Sequence, residues 1–240
     1  MGWLPLESNP EVLNPFAKRL GLPEGWEFTD VFGLDEELLM MVPQPCAALC
    51  LLYPSSKISQ PRRVEFQQKA DSQPAPPPNL FFCQQMDGVG NACGTIACMH
   101  AVANAAGAGL FELAPEGALS GFMAGAGSLG PKELGVKLLD ASELQEMSDA
   151  TAAAGETEGA GTDDAQNAHF ISFVRFGDLL YELDGRNFDH ANGDAVAAPR
   201  CHGATSAETF LADAAKVIKE DFMARDPENV NFNITALCKV

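Results

Sequence analysis

The spacing of apolar residues changes several times along the chain, and each change marks an element. Asn9-Pro10-Glu11 offers a capping side chain followed by proline at a first helical position. Val12, Phe16 and Leu20 then recur at helical spacing, and Gly21 stops the run. Asp35 is placed to cap a short helix of Glu36, Glu37, Leu38 and Leu39. Beyond Pro43 and Pro45, the run from Ala47 to Tyr53 reads as a buried strand. Helix formers dominate from Gly94 to Ala106, with Gly107 as the stop, and residues 110–147 read as helical with loops. HFISFVRF and LLYELD are strand-like and are separated by Gly177-Asp178, a hairpin turn signal. Residues 206–222 place Phe210, Ala214, Val217, Ile218 and Phe222 on one helical face, and NVNFNITALCKV alternates as a closing strand. No internal repeat is visible.

Two stretches carry no apolar period. Residues 55–79 are polar and end in QPAPPPN, which favours extended, solvated backbone and predicts a mobile loop within one domain. Residues 148–168, SDATAAAGETEGAGTDDAQNA, are small and acidic. Inside a compact domain such a stretch is either disordered or a functional lid.

Composition narrows the class. A chain of 240 residues, 46% hydrophobic and 20% charged, fits one α/β (α+β) domain over residues 1–240. The net charge of −18 leaves no basic excess with which to bind nucleic acid or an anionic membrane surface. It favours a basic partner, or serves solubility alone. Apolar runs such as Leu49 to Tyr53 fall far short of the roughly 20 residues a membrane span needs. MGWLPLES has no basic n-region, Leu6 stands where myristoylation requires Ser or Thr, and Leu237 stands where prenylation requires Cys. The seven cysteines are odd in number and form no CxxC pair, so neither a disulfide framework nor a metal site is expected, and a reducing cytoplasm is. Asn233-Ile234-Thr235 reads as a chance match to a glycosylation sequon.

One set of residues carries chemistry. A cysteine nucleophile must be a thiolate, and a helix N-terminus lowers thiol pKa through its aligned peptide dipoles. Cys93 occupies such a start, ahead of Gly94 and Thr95. Cys46, Cys50, Cys83, Cys98 and Cys238 read as inert packing residues. His100 lies on the same helix as Cys93, roughly 10 Å up its axis, too far to act as its base. His169, at the start of a strand, is the better candidate. A two-residue turn at 177–178 pairs Phe176 with Leu179 and, counting on, Ile171 with Asp184. His169 and Asp184 then project from one face, about 7 Å apart across a diagonal. As a pair they could be a structural hydrogen bond; joined to Cys93 they compose a thiol-hydrolase triad. His190 and His202 read as surface residues.

At these residues the sequence resembles a known family. NACGTIA, HFISFV and YELDGR are similar to the active-site segments of the ubiquitin carboxyl-terminal hydrolases, the cysteine peptidases typified by the L1 and L3 isozymes. WLPLESNPEVLNPFAKRLGL, FTDVFGLDEELLMMVPQP and MARDPENVNFNITAL extend the likeness over nearly the whole chain. The resemblance implies a knotted papain-like fold with a central antiparallel sheet flanked by helices. It implies Cys93 as nucleophile, His169 as general base and acid, and Asp184 as the group orienting His169. It requires no cofactor. It further implies that residues 148–168 are a crossover loop admitting a flexible ubiquitin tail, and that Pro5, Glu7, Asp30, Asn91 and Ala92 line the groove for that basic tail.

One departure bears on rate. The family has its oxyanion-stabilising glutamine six residues before the nucleophile, where this chain has Asp87. QQMDGVGNAC reads as the family pattern with two residues inserted at the Asp-Gly turn, so Gln85 takes the role, with Gln84 as its neighbour. A carboxylate at Asp87 would repel a developing oxyanion. The expectation is a monomeric, cytoplasmic and also nuclear deubiquitinase acting on ubiquitin or ubiquitin-like modifiers with small or flexible leaving groups. The alternative is a catalytically weak ubiquitin-binding protein that sequesters ubiquitin.

Overall fold

The computed structural model describes residues 2–69, 72–155, 167–188 and 196–240. Helix α1 spans Pro10–Leu20. Asn9 accepts from the Val12 N–H at 2.9 Å, and Gly21, at φ 114°, closes the helix by donating to the Ala17 and Lys18 carbonyls. Leu13, Phe16 and Leu20 are fully buried and each contributes about 1.5–3 kcal/mol relative to exposure. Strand β1 (Trp26–Asp30) follows, then α2 (Glu36–Leu39) and β2 (Cys46–Pro54). The sequence pattern does not announce β1. It is fastened to α1 by the Asn14 side chain, which donates to the Phe28 carbonyl and accepts from its N–H.

The stretch 55–79 is not wholly a loop, because helix α3 occupies Ser59–Gln68. Its buried residues are Ser59, Arg62 and Phe66, of which Phe66 alone is apolar, so it lacks an apolar stripe. Pro61 sits in the first turn, where a missing N–H costs nothing. Ion pairs hold the helix instead. Arg62 makes a bidentate pair with Glu182 at 2.8 and 2.7 Å, meets Asp221 at 2.7 Å, and lies 3.6 Å over the Phe222 ring.

Helix α4 spans Cys93–Gly107 and is buried almost all round, as a central helix must be. Gly107 is its last residue rather than the stop, and the left-handed closing glycine is Gly109. Gly109 (φ 77°) donates to the Ala106 carbonyl and Leu110 to that of Ala105, a Schellman motif. Helices α5 (Ala118–Met123), α6 (Pro131–Leu139) and α7 (Ser142–Ala152) follow. Strands β3 (Ala168–Phe176), β4 (Leu179–Leu183) and β5 (Arg200–Ala204) come next. The span 206–222 is not one helix. Helix α8 covers Phe210–Val217 and widens into a π turn at Ile218–Phe222 before β6 (Asn233–Lys239).

The six strands lie in the order β1-β6-β2-β3-β4-β5, every pair antiparallel. Strand β2 is apolar on both faces. Ala48 and Cys50 join the core with α1 and α4–α7, while Leu49, Leu51 and Tyr53 join the core with α8. The sheet is therefore sandwiched between helices, and this buries the strands on which the site is built.

Candidate active site

Cys93 opens α4, and no side chain caps the helix. The first-turn N–H groups and the positive end of the helix dipole are thus left to the thiol. Gly94 permits the close approach of α4 to β3. A Cβ there would stand 3.2 Å from the Phe170 ring and 3.1 Å from Leu6 Cβ. Thr95 joins Ser148 of α7 at 2.7 Å and fixes the same turn from the other side.

The β3–β4 hairpin has the expected register. Phe176 faces Leu179 and Ser172 faces Leu183, around a two-residue turn in which Gly177 has φ 58°. Extending the register puts Asp184 opposite Ile171, and His169 Nε2 stands 2.6 Å from Asp184 Oδ1. Both residues are buried, and the Tyr53 ring lies edge-on to the imidazole at 5.8 Å. With Nε2 committed to Asp184, Nδ1 has no other protein partner and is the nitrogen left for the Cys93 thiol.

Electrostatics follow from these contacts. Burial alone would raise the Cys93 thiol, but its interaction with His169 outweighs burial and holds it below the ordinary value. Burial would lower His169, yet Asp184 and the thiol hold it above its ordinary value. Asp184 is held well below the carboxylate range despite its burial, by His169 first and then Arg63 and the Arg186 N–H. The arrangement favours a thiolate beside an imidazolium, the activated state of a nucleophilic cysteine. His100, by contrast, is pushed down to about 4 by burial, accepts from the Cys83 N–H at 2.9 Å and stacks on Phe82. It is a neutral packing acceptor. Burial pushes the Cys83 thiol up to about 12.

The two glutamines separate cleanly. Gln84 accepts from the Ala197 N–H at 2.9 Å and is thereby committed to the loop before β5. Gln85 is buried, donates its backbone N–H to the Gly185 carbonyl and its side-chain amide to the Gly90 carbonyl at 3.0 Å. It bridges the segment just ahead of Cys93 to the Asp184 turn, and one amide proton remains unused there. Asp87 is exposed in a turn that needs left-handed backbone at Gly88 (φ 96°) and Gly90 (φ 70°). The inserted residues bulge outward.

The N-terminal segment runs beside this turn. Trp3 donates to the Val89 carbonyl and Asn91 to the Trp3 carbonyl, which holds the N-terminal segment against the residues just ahead of Cys93. Ser8 meets Asn233 at 2.7 Å, joining that segment to the start of β6; Asp30 pairs with Thr235 nearby. Ala92 departs from expectation, since it is fully buried and packs into the core rather than lining an open surface. Residues 148–168 are only partly as expected. Ser148–Ala152 complete α7, Gly155 lies against Glu7, and Asn167 accepts from Ser55, while 156–166 lie outside the described residues.

Sequence reasoning missed two arginines. Arg63 of α3 stands 3.8 Å from Asp184 Oδ2, and the Arg186 N–H donates to Asp184 Oδ1 at 2.8 Å. The i, i+4 spacing of Ile58, Arg62 and Phe66 was the available signal for α3. His202 pairs with the buried Glu182 at 2.8 Å, so it is not a free surface residue; His190 lies outside the described residues. Among the described residues there is no cluster of three His, Cys, Asp or Glu able to hold a metal, and no helix long and apolar enough to cross a membrane.

An antiparallel sheet with a helix-start cysteine against a strand histidine and its carboxylate defines a cysteine hydrolase. Comparison with known proteins narrows this. A model of ubiquitin carboxyl-terminal hydrolase family 1 matches residues 3–224. A ubiquitin carboxyl-terminal hydrolase of Aplysia californica is 41% identical, over 94% of this chain and 97% of its own. Human ubiquitin carboxyl-terminal hydrolase isozyme L1 is 38% identical, over 98% of this chain and 97% of its own. Among solved structures, the Trichinella spiralis UCH37 catalytic domain bound to ubiquitin vinyl methyl ester shares the fold at a TM-score of 0.71, with 20% identity over 100% of this chain and 97% of that one. The chain belongs to the ubiquitin carboxyl-terminal hydrolase family of cysteine peptidases.

Proposed function

We propose that residues 1–240 form one catalytic domain that hydrolyses amide or ester bonds at the C-terminal glycine of ubiquitin. The observation that carries this reading is the 2.6 Å His169–Asp184 bond, which leaves the buried imidazole Nδ1 as the nitrogen available to the Cys93 thiol. The Cys93 thiolate attacks the glycine carbonyl. The oxyanion is met by the Cys93 N–H at the start of α4 and by the second amide proton of Gln85. His169 then protonates the departing amine, and an acyl-enzyme remains on Cys93. Water attacks with His169 as base and frees the thiol. Asp184 keeps the imidazole oriented throughout. The exposed position of Asp87 and the placement of Gln85 speak against the sequestering alternative, because the carboxylate does not occupy the oxyanion side.

The acidic chain, at −18, suits the basic tail of ubiquitin, and Pro5, Glu7, Asp30 and Asn91 are the groove residues of this reading. The preference for small or flexible leaving groups is carried by the resemblance of residues 148–168 to the family's crossover loop. The reading includes activity toward ubiquitin-like modifiers, a monomeric state, and a place in the cytoplasm and nucleus within the ubiquitin conjugation pathway.

The test is turnover of ubiquitin carrying a fluorescent C-terminal amide, beside Cys93→Ala. Release that is lost in the variant while ubiquitin binding persists is the expected result. Tight binding with no release by the unaltered chain would overturn the hydrolase reading in favour of sequestration. Running a ubiquitin-like modifier amide in parallel settles the choice of modifier.

A further inference from the structure

Two cysteines outside the active site face each other where β2 begins and β6 ends. Cys46 and Cys238 are register partners, and the Lys239 N–H donates to the Pro45 carbonyl at 3.1 Å just beyond them. That bond places the two cysteines at a non-hydrogen-bonded site of the ladder. At such sites Cα atoms stand about 4.5 Å apart, within the roughly 4.4–6.8 Å that a disulfide spans. Both thiols are reduced here and buried against the α8 core. Cys46 retains slight exposure, 9%, and its neighbours Gln44 and Pro45 line an apolar groove open to solvent.

We propose that Cys46 and Cys238 are a reversible modification site that forms a cross-strand disulfide on exposure to peroxide, stapling the C-terminal strand to β2. The site is distinct from the catalytic one. It lies at the opposite end of β2 from Tyr53, the register partner of His169, roughly 23 Å away at about 3.3 Å per residue. Each thiol acts on the other: interaction with Cys46 lowers the Cys238 thiol, while interaction with Cys238 and burial push Cys46 up. Either cysteine can be the first to react, with its register partner resolving it.

The chemistry balances. One thiolate of the pair attacks a peroxide oxygen, the O–O bond breaks, and hydroxide leaves, which takes up the thiol proton as water. The resulting sulfenic acid is attacked by the other thiol; the S–S bond forms, the S–O bond breaks, and a second water departs. Two thiols are oxidised by two electrons and one peroxide is reduced. The bridge closes a loop over residues 47–237, so it constrains nearly the whole unfolded chain. It also holds β6 in place between β1 and β2.

The test uses the full chain carrying Cys93→Ser, so that the nucleophile does not consume the oxidant. Peroxide treatment, alkylation under denaturing conditions and peptide mapping should recover Cys46 linked to Cys238, with the link lost on reduction by dithiothreitol. Cys50 and Cys98, which interact with each other but of which neither has the slight exposure of Cys46, serve as the internal comparison. The oxidised chain should unfold in urea at least about tenfold more slowly than the reduced one, and Cys46→Ser should abolish that difference. Recovery of both cysteines as free thiols, at peroxide levels that oxidise Cys93 in the unaltered chain, would overturn the proposal. So would bridges spread evenly over all the cysteines, or slowed unfolding that persists in Cys46→Ser.

Discussion

Replacing Asp184 by asparagine isolates what the carboxylate contributes. Asp184 is buried and receives a 2.6 Å bond from His169 Nε2 and a 2.8 Å bond from the Arg186 N–H, with Arg63 at 3.8 Å. An asparagine that keeps its carbonyl toward His169 retains both hydrogen bonds and the tautomer with Nδ1 toward Cys93. It loses the negative charge and turns an N–H₂ toward Arg63. A hydrogen bond to a charged group contributes about 1.5–3 kcal/mol and a neutral one about 0.5–1.5. The difference of about 1–2 kcal/mol falls on the imidazolium, and therefore on the thiolate it supports. At about 1.4 kcal/mol per factor of ten, kcat/KM should fall roughly 5- to 30-fold near neutrality. The pH profile supplies the sharper test. In the unaltered chain the rate rises with pH as Cys93 ionises below the ordinary thiol range, and falls as His169 loses its proton above its ordinary value. In Asp184→Asn the acid limb should move up and the alkaline limb down, narrowing the bell. The assay is release of a fluorophore from ubiquitin amide between pH 5 and pH 10, with circular dichroism to verify folding. A rate within threefold of the parent, with both limbs unmoved, would refute the reasoning. Linkage gives a companion effect: the depressed carboxyl of Asp184 contributes stability above its unfolded value of about 3.9, lost as pH falls through the folded value. The variant should therefore lose less stability on acidification than the parent does.

Gln85→Ala should lower kcat about 100- to 1000-fold with little change in KM, as loss of one oxyanion donor does, whereas Asp87→Ala, at an exposed turn, should leave both nearly unchanged. Equal effects at the two positions would show that Gln85 does not serve the oxyanion. Gly94→Ala should push the start of α4 off Phe170 and cost about tenfold in kcat, since misplacement of 1 Å costs about 100-fold; activity equal to the parent would mean that the helix yields freely. Arg62→Met should destabilise the protein by about 3–5 kcal/mol in urea unfolding, because Glu182 is left buried without its main counter-ion. A loss under 1 kcal/mol would show that His202 and Arg200 suffice for Glu182.

Elements with local signals were legible in the chain. Asn9, Pro10 and Gly21 delimit α1 because caps act within a few residues. Gly177-Asp178 set the hairpin register, and with it the meeting of His169 and Asp184, because a two-residue turn leaves one pairing. The first turn of α4 was also readable from composition, and it holds Cys93. Helix α3 was not legible, since what stabilises it lies far off in sequence at Glu182 and Asp221. The break of α8 at Ile218 was hidden likewise, because it serves to seat Phe222 beneath Arg62.

The expected Asp35 cap does not form, because its side chain pairs with Lys219. By itself, then, the sequence determined the two ends of α1, the hairpin register, the thiol at a helix start and the resemblance that implies a ubiquitin hydrolase. Each depends on neighbours within about one turn or one hairpin, or on ordered segments that can be compared directly. Only the tertiary structure decided that Gln84 is committed to Ala197 while Gln85 bonds to Gly90, that Arg63 stands beside Asp184, and that Cys46 meets Cys238. The contacts of Gln84, Arg63 and Cys46 join residues more than a hundred positions apart in the chain. Their energies exist only once the sheet order β1-β6-β2-β3-β4-β5 has closed, and no local period encodes that order.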